Sequence, residues 1–102
     1  MIDSPITILG LKVLAFMPID LRHQFVGHNE RRWIDSKGDE FLFGPVAGLG
    51  ICAELDWVVL FGCDEVWRAL WETRCTTIAV AEDQAEFEYE GVSRTWVRIG
   101  DR

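Results

Sequence analysis

The sequence predicts a single α+β domain, in which one helix packs on a curved, mostly antiparallel sheet or small barrel of about seven strands. Short apolar segments separated by glycine-containing turns recur along the chain, as they do in antiparallel sheets. One segment has the helical period instead. The chain has 102 residues, and a chain of this size has room for one hydrophobic core but not for two.

The first elements are a predicted strand and a long connection. Residues 5 to 16 are apolar at successive positions, as in a central strand, and Gly10 is expected at a bulge or a close approach of two backbones. Residues 17 to 30 have few apolar residues at helical spacing and predict an irregular connection. Long irregular connections in compact domains are often functional.

A β-hairpin is predicted over residues 31 to 44. Asp35 is expected to open its turn, and Gly38 to take the left-handed position of a three-residue loop. This register pairs Trp33 with Phe41.

The next segment contains a short motif with two interpretations. Gly48, Gly50 and Ala53 form G-x-G-x-x-A, which occurs in dinucleotide-binding turns. Such a site requires a helix that begins at the glycines. Every second residue from Ile51 to Phe61 is apolar instead, which indicates a strand. We therefore interpret residues 44 to 50 as a connection between antiparallel strands and not as a nucleotide site.

A helix is predicted from Asp64 to Thr73. Its buried side would consist of apolar residues at helical spacing: Cys63, Val66, Trp67, Leu70 and Trp71. Asp64 and Glu65 lie in its first turn, where the helix dipole favours negative charge. Residues 76 to 81 then predict a return to strand.

The last predicted element is a hairpin with a loop at Gly91, Val92 and Ser93. Its register separates two faces. The apolar face contains Ala85, Phe87, Tyr89, Thr95, Val97 and Ile99, and the charged face contains Glu86, Glu88, Glu90, Arg94, Trp96 and Arg98.

Trp96 is a large aromatic side chain on the charged face of this hairpin. Aromatic and arginine side chains are typical of the residues that dominate protein interfaces. The predicted binding residues are therefore Trp96, Glu86, Glu88, Arg94 and Arg98. The alternative is that the charged pairs form a solvated face, where each pair contributes little to stability.

Charge and cysteine usage exclude several classes of function. Seventeen acidic and ten basic residues give a net charge of −7, which disfavours nucleic acid and anionic membrane as partners. The N-terminus lacks the positive charge of a signal peptide, and no apolar stretch is long enough to span a membrane. Three cysteines without a C-x-x-C pair are typical of buried thiols in a reducing compartment, so we expect a cytoplasmic protein.

The sequence contains no assembled catalytic or metal-binding motif. His23 and His28 are five residues apart, a spacing that places them on a common face of neither a helix nor a strand. We therefore predict no catalytic residues, no metal ligands and no cofactor, and a role other than enzyme is favoured. A spatial encounter of Cys52 or Cys63 with His23 stays open.

The favoured function is that of a small acidic module that binds another protein, for example an inhibitor or an immunity-type protein. Its partner is expected to present a basic surface to the acidic-aromatic face. The sequence leaves homo-oligomerisation open. The alternative is a small-ligand-binding barrel or minor enzyme with a pocket beneath residues 17 to 30.

Overall fold

The computed structural model of the protein describes residues 5–20, 24–25, 31–34, 36–38, 40–43, 46–92 and 95–99. Within these residues the chain forms the following strands and one helix: β1 (Thr7–Ile8), β2 (Leu11–Pro18), β3 (Gln24–Phe25), β4 (Arg31–Ile34), β5 (Glu40–Phe43), β6 (Gly48–Ala53), β7 (Val58–Cys63), β8 (Ala69–Cys75), α1 (Ile78–Glu88), β9 (Tyr89–Glu90) and β10 (Val97–Arg98).

The main sheet is antiparallel and has the strand order β1-β2-β6-β7-β8, with β10 also paired to β2. It curls into a half-barrel, and α1 packs against it. Two further strand pairs, β3 with β9 and β4 with β5, lie outside this sheet. The predicted α+β class is confirmed, and the number of strands agrees roughly.

Both faces of the sheet are buried by apolar side chains. The α1-side core contains Ala15, Met17, Val46, Leu49, Ile51, Leu60, Cys75, Ala81, Ala85, Tyr89 and Val92. The opposite core contains Ile8, Val13, Phe16, Cys52, Val59, Phe61, Cys63 and Trp67. This two-sided burial explains why the strands are apolar at successive positions.

The first predicted strand is in fact two strands joined by a tight turn. Ile8 pairs with Leu11, so that Leu9 and Gly10 alone form the loop. Their φ angles are 50° and 79°, and positive φ at both positions is the requirement of a type I′ hairpin turn. The expected special backbone at Gly10 is therefore a turn and not a bulge.

The hairpin predicted over residues 31 to 44 is confirmed in its register. Trp33 pairs with Phe41, and Gly38 has the expected positive φ, 84°. The described pairs extend to Ile34 and Glu40. Asp35 and Asp39 lie outside the described residues, so the predicted length of the loop stays a prediction.

The prediction of a connection over residues 44 to 50 was wrong at residues 48–50, which lie in strand β6. Gly48 and Gly50 belong to β6 and pair with β2 and β7, so no helix begins there to hold a phosphate. The prediction of one strand from Ile51 to Phe61 was wrong, because a turn at residues 54–57 divides it. In this turn the Glu54 N–H donates to the Trp57 carbonyl at 3.0 Å.

The predicted helix from Asp64 to Thr73 was wrong: residues 64–68 form a loop, and strand β8 follows. Asp64 organises the loop, because its Oδ1 accepts the backbone N–H groups of Val66 and Arg68, both at 2.9 Å. These local bonds compete with helical ones. Trp67 has a φ of 63°, which directs the chain out of the loop while its side chain enters the opposite core.

Replacement of Asp64 by asparagine should lower stability at neutral pH. Hydrogen bonds from the Arg68 and Val66 backbone and the Arg68 side chain hold the pKa of Asp64 below its usual value of 3.8. Because the folded pKa is the lower one, this stabilisation is present above the unfolded pKa and disappears as pH falls through the folded value. Urea midpoints should separate wild type from D64N at about pH 7, and the difference should shrink as pH falls below 3.8 and through the folded pKa. A constant difference would contradict the charge-based argument.

The segment predicted as a strand and a hairpin arm is helix α1, so both predictions were wrong. The helix begins after Thr77, whose side chain accepts the Val80 N–H at 3.2 Å. Such a cap satisfies one of the unpaired donors at a helix start. The buried side of α1 consists of Ala81, Ala85 and Glu88. Small and charged residues at these positions give little apolar contrast, which is why the helical period was hidden.

Candidate binding surface

Trp96 does not lie on a charged hairpin face. It is partly buried and packs against the α1-side core, and β10 pairs with β2 instead of with residues 85–90. Its Nε1–H is buried and has no hydrogen-bond partner among the described residues. The register that placed Trp96 among charged groups was therefore wrong, and its role in binding stays a prediction.

The two predicted glutamates lie near the end of α1. Glu86 is half-buried, and its Oε2 accepts the Gly91 N–H at 3.1 Å. Glu88 is buried, with 1% of its surface exposed, and its Oε2 accepts the Gln84 side-chain N–H at 2.9 Å. A helix places residues two apart on different sides. Glu86 and Glu88 therefore do not share a face, as they would in the predicted strand.

The structure describes one of the two predicted arginines. Arg98 lies on β10 and forms an ion pair with Glu82 on α1. Arg94 lies outside the described residues. Of the predicted set, Glu86 and Arg98 border the exposed side of α1, and Arg98 is brought there through Glu82.

The exposed side of α1 carries apolar and acidic groups together. Phe87 is 52% exposed and Val80 is 46% exposed, and they lie seven residues apart on one side of the helix. Asp83 is exposed between them, and Glu90, two residues beyond the end of the helix, is exposed on β9. We refer to Val80, Asp83, Phe87 and Glu90 as the α1 face.

The segment that carries the α1 face contains acidic but no basic residues, although Arg98 of β10 pairs with Glu82 from outside it. Residues 75 to 93 contain five acidic side chains and no lysine or arginine. The first turn of α1 has no acidic residue and its last turn no basic residue. This distribution is the reverse of what the helix dipole favours, so it is not explained by helix stability.

Phe87 and Asp83 were not among the binding residues predicted from the sequence, although a signal for them was present. A strand register placed Phe87 inward because it alternates with glutamates. The run of acidic residues without a single base from 75 to 93 was visible in the sequence.

All three cysteines are buried free thiols, as the sequence predicted. Burial raises the pKa of Cys52 to about 12, against the opposing effect of a hydrogen bond with the Ile8 backbone. Burial also raises the pKa of Cys63 to about 12, and the neighbouring Cys52 and Asp64 add to this effect. Since the thiolate is the nucleophile, neither group is activated for covalent chemistry.

Thiol labelling checks this arrangement. A thiol-reactive dye should label none of the three cysteines rapidly in native buffer and all three in denaturant. The labelling is counted by mass spectrometry. Rapid labelling of one cysteine in native buffer would contradict the burial of that thiol.

Other sites were sought among the residues that the structure describes. Their His, Cys, Asp and Glu side chains form no group of three that could hold a metal ion, and no pocket is found. None of their helices is long and apolar enough to cross a membrane.

Comparisons with known proteins found no match among family models, curated proteins or solved structures. Any assignment of function therefore depends on the surface chemistry described above.

Proposed function

We propose that the protein is a small acidic module that binds a basic surface of another protein through the α1 face. The observation that carries this proposal is the exposure of Phe87 within a region that has acidic but no basic residues. Exposed aromatic groups surrounded by polar ones are typical of interaction sites.

Two features favour binding over a merely solvated helix face. A solvated face needs no exposed phenylalanine, and exposure of this ring leaves its apolar surface in water. The acidic groups also accumulate at the helix end where the dipole disfavours them. Both features are unfavourable in the isolated chain, and a basic partner with an apolar recess would relieve both.

The acidic groups and Phe87 have different roles in this proposal. The net charge of −7 would accelerate encounters with a basic protein, since complementary charge acts mainly on the association rate. Phe87 would hold the complex by entering a desolvated site. If the basic surface belongs to an enzyme, the module acts as an inhibitor or immunity-type protein, and a cytoplasmic location belongs to the same proposal.

The alternative of a ligand-binding barrel or minor enzyme stays a prediction. Its pocket was expected beneath residues 17 to 30, and most of that segment lies outside the described residues. No specific observation favours it over the α1 face.

Comparative capture from the native source tests the proposal. Immobilised wild type should retain a basic protein that elutes with salt, and the double variant D83R/F87A should not retain it. The control variant L70A removes a comparably exposed apolar side chain from β8 and should retain the same protein. Equal retention by all three, or retention only of proteins without a basic surface, would contradict the proposal.

Truncation of Phe87 alone should separate binding from folding. Because the ring is half exposed, F87A should change the free energy of unfolding by less than about 1 kcal/mol. Affinity for the captured partner should fall by about 2 kcal/mol or more, as at an aromatic hot spot. Urea denaturation and a surface-based binding assay measure the two quantities. An unchanged affinity would remove Phe87 from the interface.

A further inference from the structure

Two hairpin ends lie side by side at one end of the sheet. β2 begins directly after the β1–β2 turn, and its first residues run beside the end of β6, since Val13 pairs with Cys52. The β6–β7 turn at residues 54–57 follows at that same end. The two turns are therefore about two strand spacings apart, or roughly 10 Å.

Large apolar side chains are exposed at both hairpin ends. Leu55 is 94% exposed and Leu9 is 72% exposed. Ile6, which precedes β1, and Trp57, which ends the second turn, are also exposed. We refer to Ile6, Leu9, Leu55 and Trp57 as the hairpin-tip patch.

The conformation of the first turn does not explain why a leucine occupies position 9. Leu9 has a φ of 50° in a two-residue turn, a position that asparagine, aspartate or glycine occupies at lower cost. A residue other than glycine in this backbone region is strained. Leu9 thus combines an unfavourable backbone with an exposed apolar side chain, which is the kind of local conflict found at functional sites.

The charges at this end balance, unlike those of the whole chain. Its described charged residues are Lys12, Arg74, Glu54 and Asp56. Arg74 and Glu54 neutralise each other within the chain, with 2.8 Å between Nε and Oε1. Lys12 and Asp56 are both exposed, Lys12 on the first hairpin and Asp56 in the turn of the second.

We propose that the hairpin-tip patch is a contact surface for a second copy of this chain. About a two-fold axis normal to the sheet, and so perpendicular to the strands, the hairpin ends of two copies would face each other. Each patch would then cover the other, and Lys12 of each copy would approach Asp56 of the other copy. The net charge of −7 opposes contact between acidic faces, whereas this neutral end adds no such repulsion.

The patch is small, so the dimer should be weak. Stable interfaces bury about 800 Å² on each partner, and four side chains fall short of this. A dissociation constant on the order of 100 μM is expected.

Sedimentation equilibrium of the full chain at about 10 μM to about 1 mM tests the proposal. The apparent mass should rise with concentration in wild type, and it should stay at the monomer value in L9D and in L55D. F87A should dimerise like wild type, because Phe87 lies outside the patch. Circular dichroism confirms that each variant is folded. Since L9D also changes the turn, L55D in the freely exposed turn serves as the second variant.

A charge exchange tests the arrangement of the two copies. K12E and D56K should each weaken the dimer several-fold by placing like charges opposite each other, and K12E/D56K should restore it. A wild type that stays monomeric, a dimer that survives L55D, or a double variant as weak as the single ones would overturn the proposal. None of these outcomes affects the proposed function of the α1 face, which is tested with other variants.

Discussion

Truncation of Trp67 to alanine should lower the free energy of unfolding by about 3 to 5 kcal/mol. Only 8% of the Trp67 surface is exposed. Its ring meets Phe16 edge to face with 5.6 Å between the ring centroids, and it closes the opposite core at the loop between β7 and β8. Alanine would leave a cavity there. Urea denaturation followed by circular dichroism measures the change, and a loss below about 1 kcal/mol would contradict this packing.

The backbone at Trp67 makes a second variant informative. Its φ of 63° is unfavourable for any residue with a Cβ but not for glycine. W67G removes the same ring and also relieves this strain, so it should be more stable than W67A by roughly 0.5 to 1 kcal/mol. At ordinary strand or helix positions glycine is the less stable of the two. If W67G were instead less stable than W67A, the loop would not hold Trp67 in this backbone conformation.

Replacement of Gly62 by alanine should cost about 3 kcal/mol, at the upper end of the range for overpacking. Gly62 pairs with Trp71 of β8, and a Cβ at residue 62 would lie 2.2 Å from Cε2 of the Trp71 ring. The ring packs against the α1-side core, so its displacement would disturb the contacts beneath α1. Urea denaturation again measures the loss.

Two controls separate this clash from a general intolerance of alanine. At Gly50 the nearest atom to an added Cβ is the Ile8 Cδ1, at 2.5 Å. That atom ends a flexible side chain, so G50A should cost less than about 1.5 kcal/mol. In a W71A background, G62A should cost almost nothing, because the ring is gone. If the stability loss of G62A/W71A equalled the sum of the losses of the two single variants, the proposed clash would be contradicted.

The strands near the chain's middle could be predicted because local pattern and turn chemistry agree there. Gly38 has the left-handed conformation that its place in the turn indicated, and it fixed the pairing of Trp33 with Phe41. The turn at residues 54–57 was missed, because Leu55 and Trp57 continue the alternation although both are exposed. Apolar residues in a turn cannot be distinguished from those of a strand by the alternation of apolar residues alone.

The helix was misplaced for two physical reasons. The helix-like apolar spacing at residues 63–71 comes from a loop that buries Trp67 and from a strand whose side chains alternate between two faces. Asp64 forms hydrogen bonds within the loop instead of starting a helix. The real helix hides its period behind alanines and a buried glutamate. The alternating E-F-E-Y-E sequence at residues 86–90, where α1 ends and β9 begins, fits a strand equally well. The observed structure depends on tertiary contacts such as the 2.8 Å bond from the Val46 N–H to the Tyr89 hydroxyl.

The prediction of the binding residues was wrong in part because it depended on the same secondary structure. The acidic character of the α1 face could be predicted from the sequence, since no lysine or arginine occurs from 75 to 93. The identity of its exposed aromatic residue depends on the secondary structure. A strand exposes Trp96 and buries Phe87, whereas the helix exposes Phe87 and Trp96 packs on the core.

The most direct test of binding through the α1 face is an NMR titration of the isotope-labelled protein with its captured basic partner. The amide signals of Val80, Asp83, Phe87 and Glu90 should shift most or broaden, and those of Leu55 and Trp57 at the hairpin tips should stay unchanged. In D83R/F87A the perturbations should disappear while the remaining spectrum stays that of the folded protein. Perturbations centred on other elements, with the α1 face unaffected, would contradict the account.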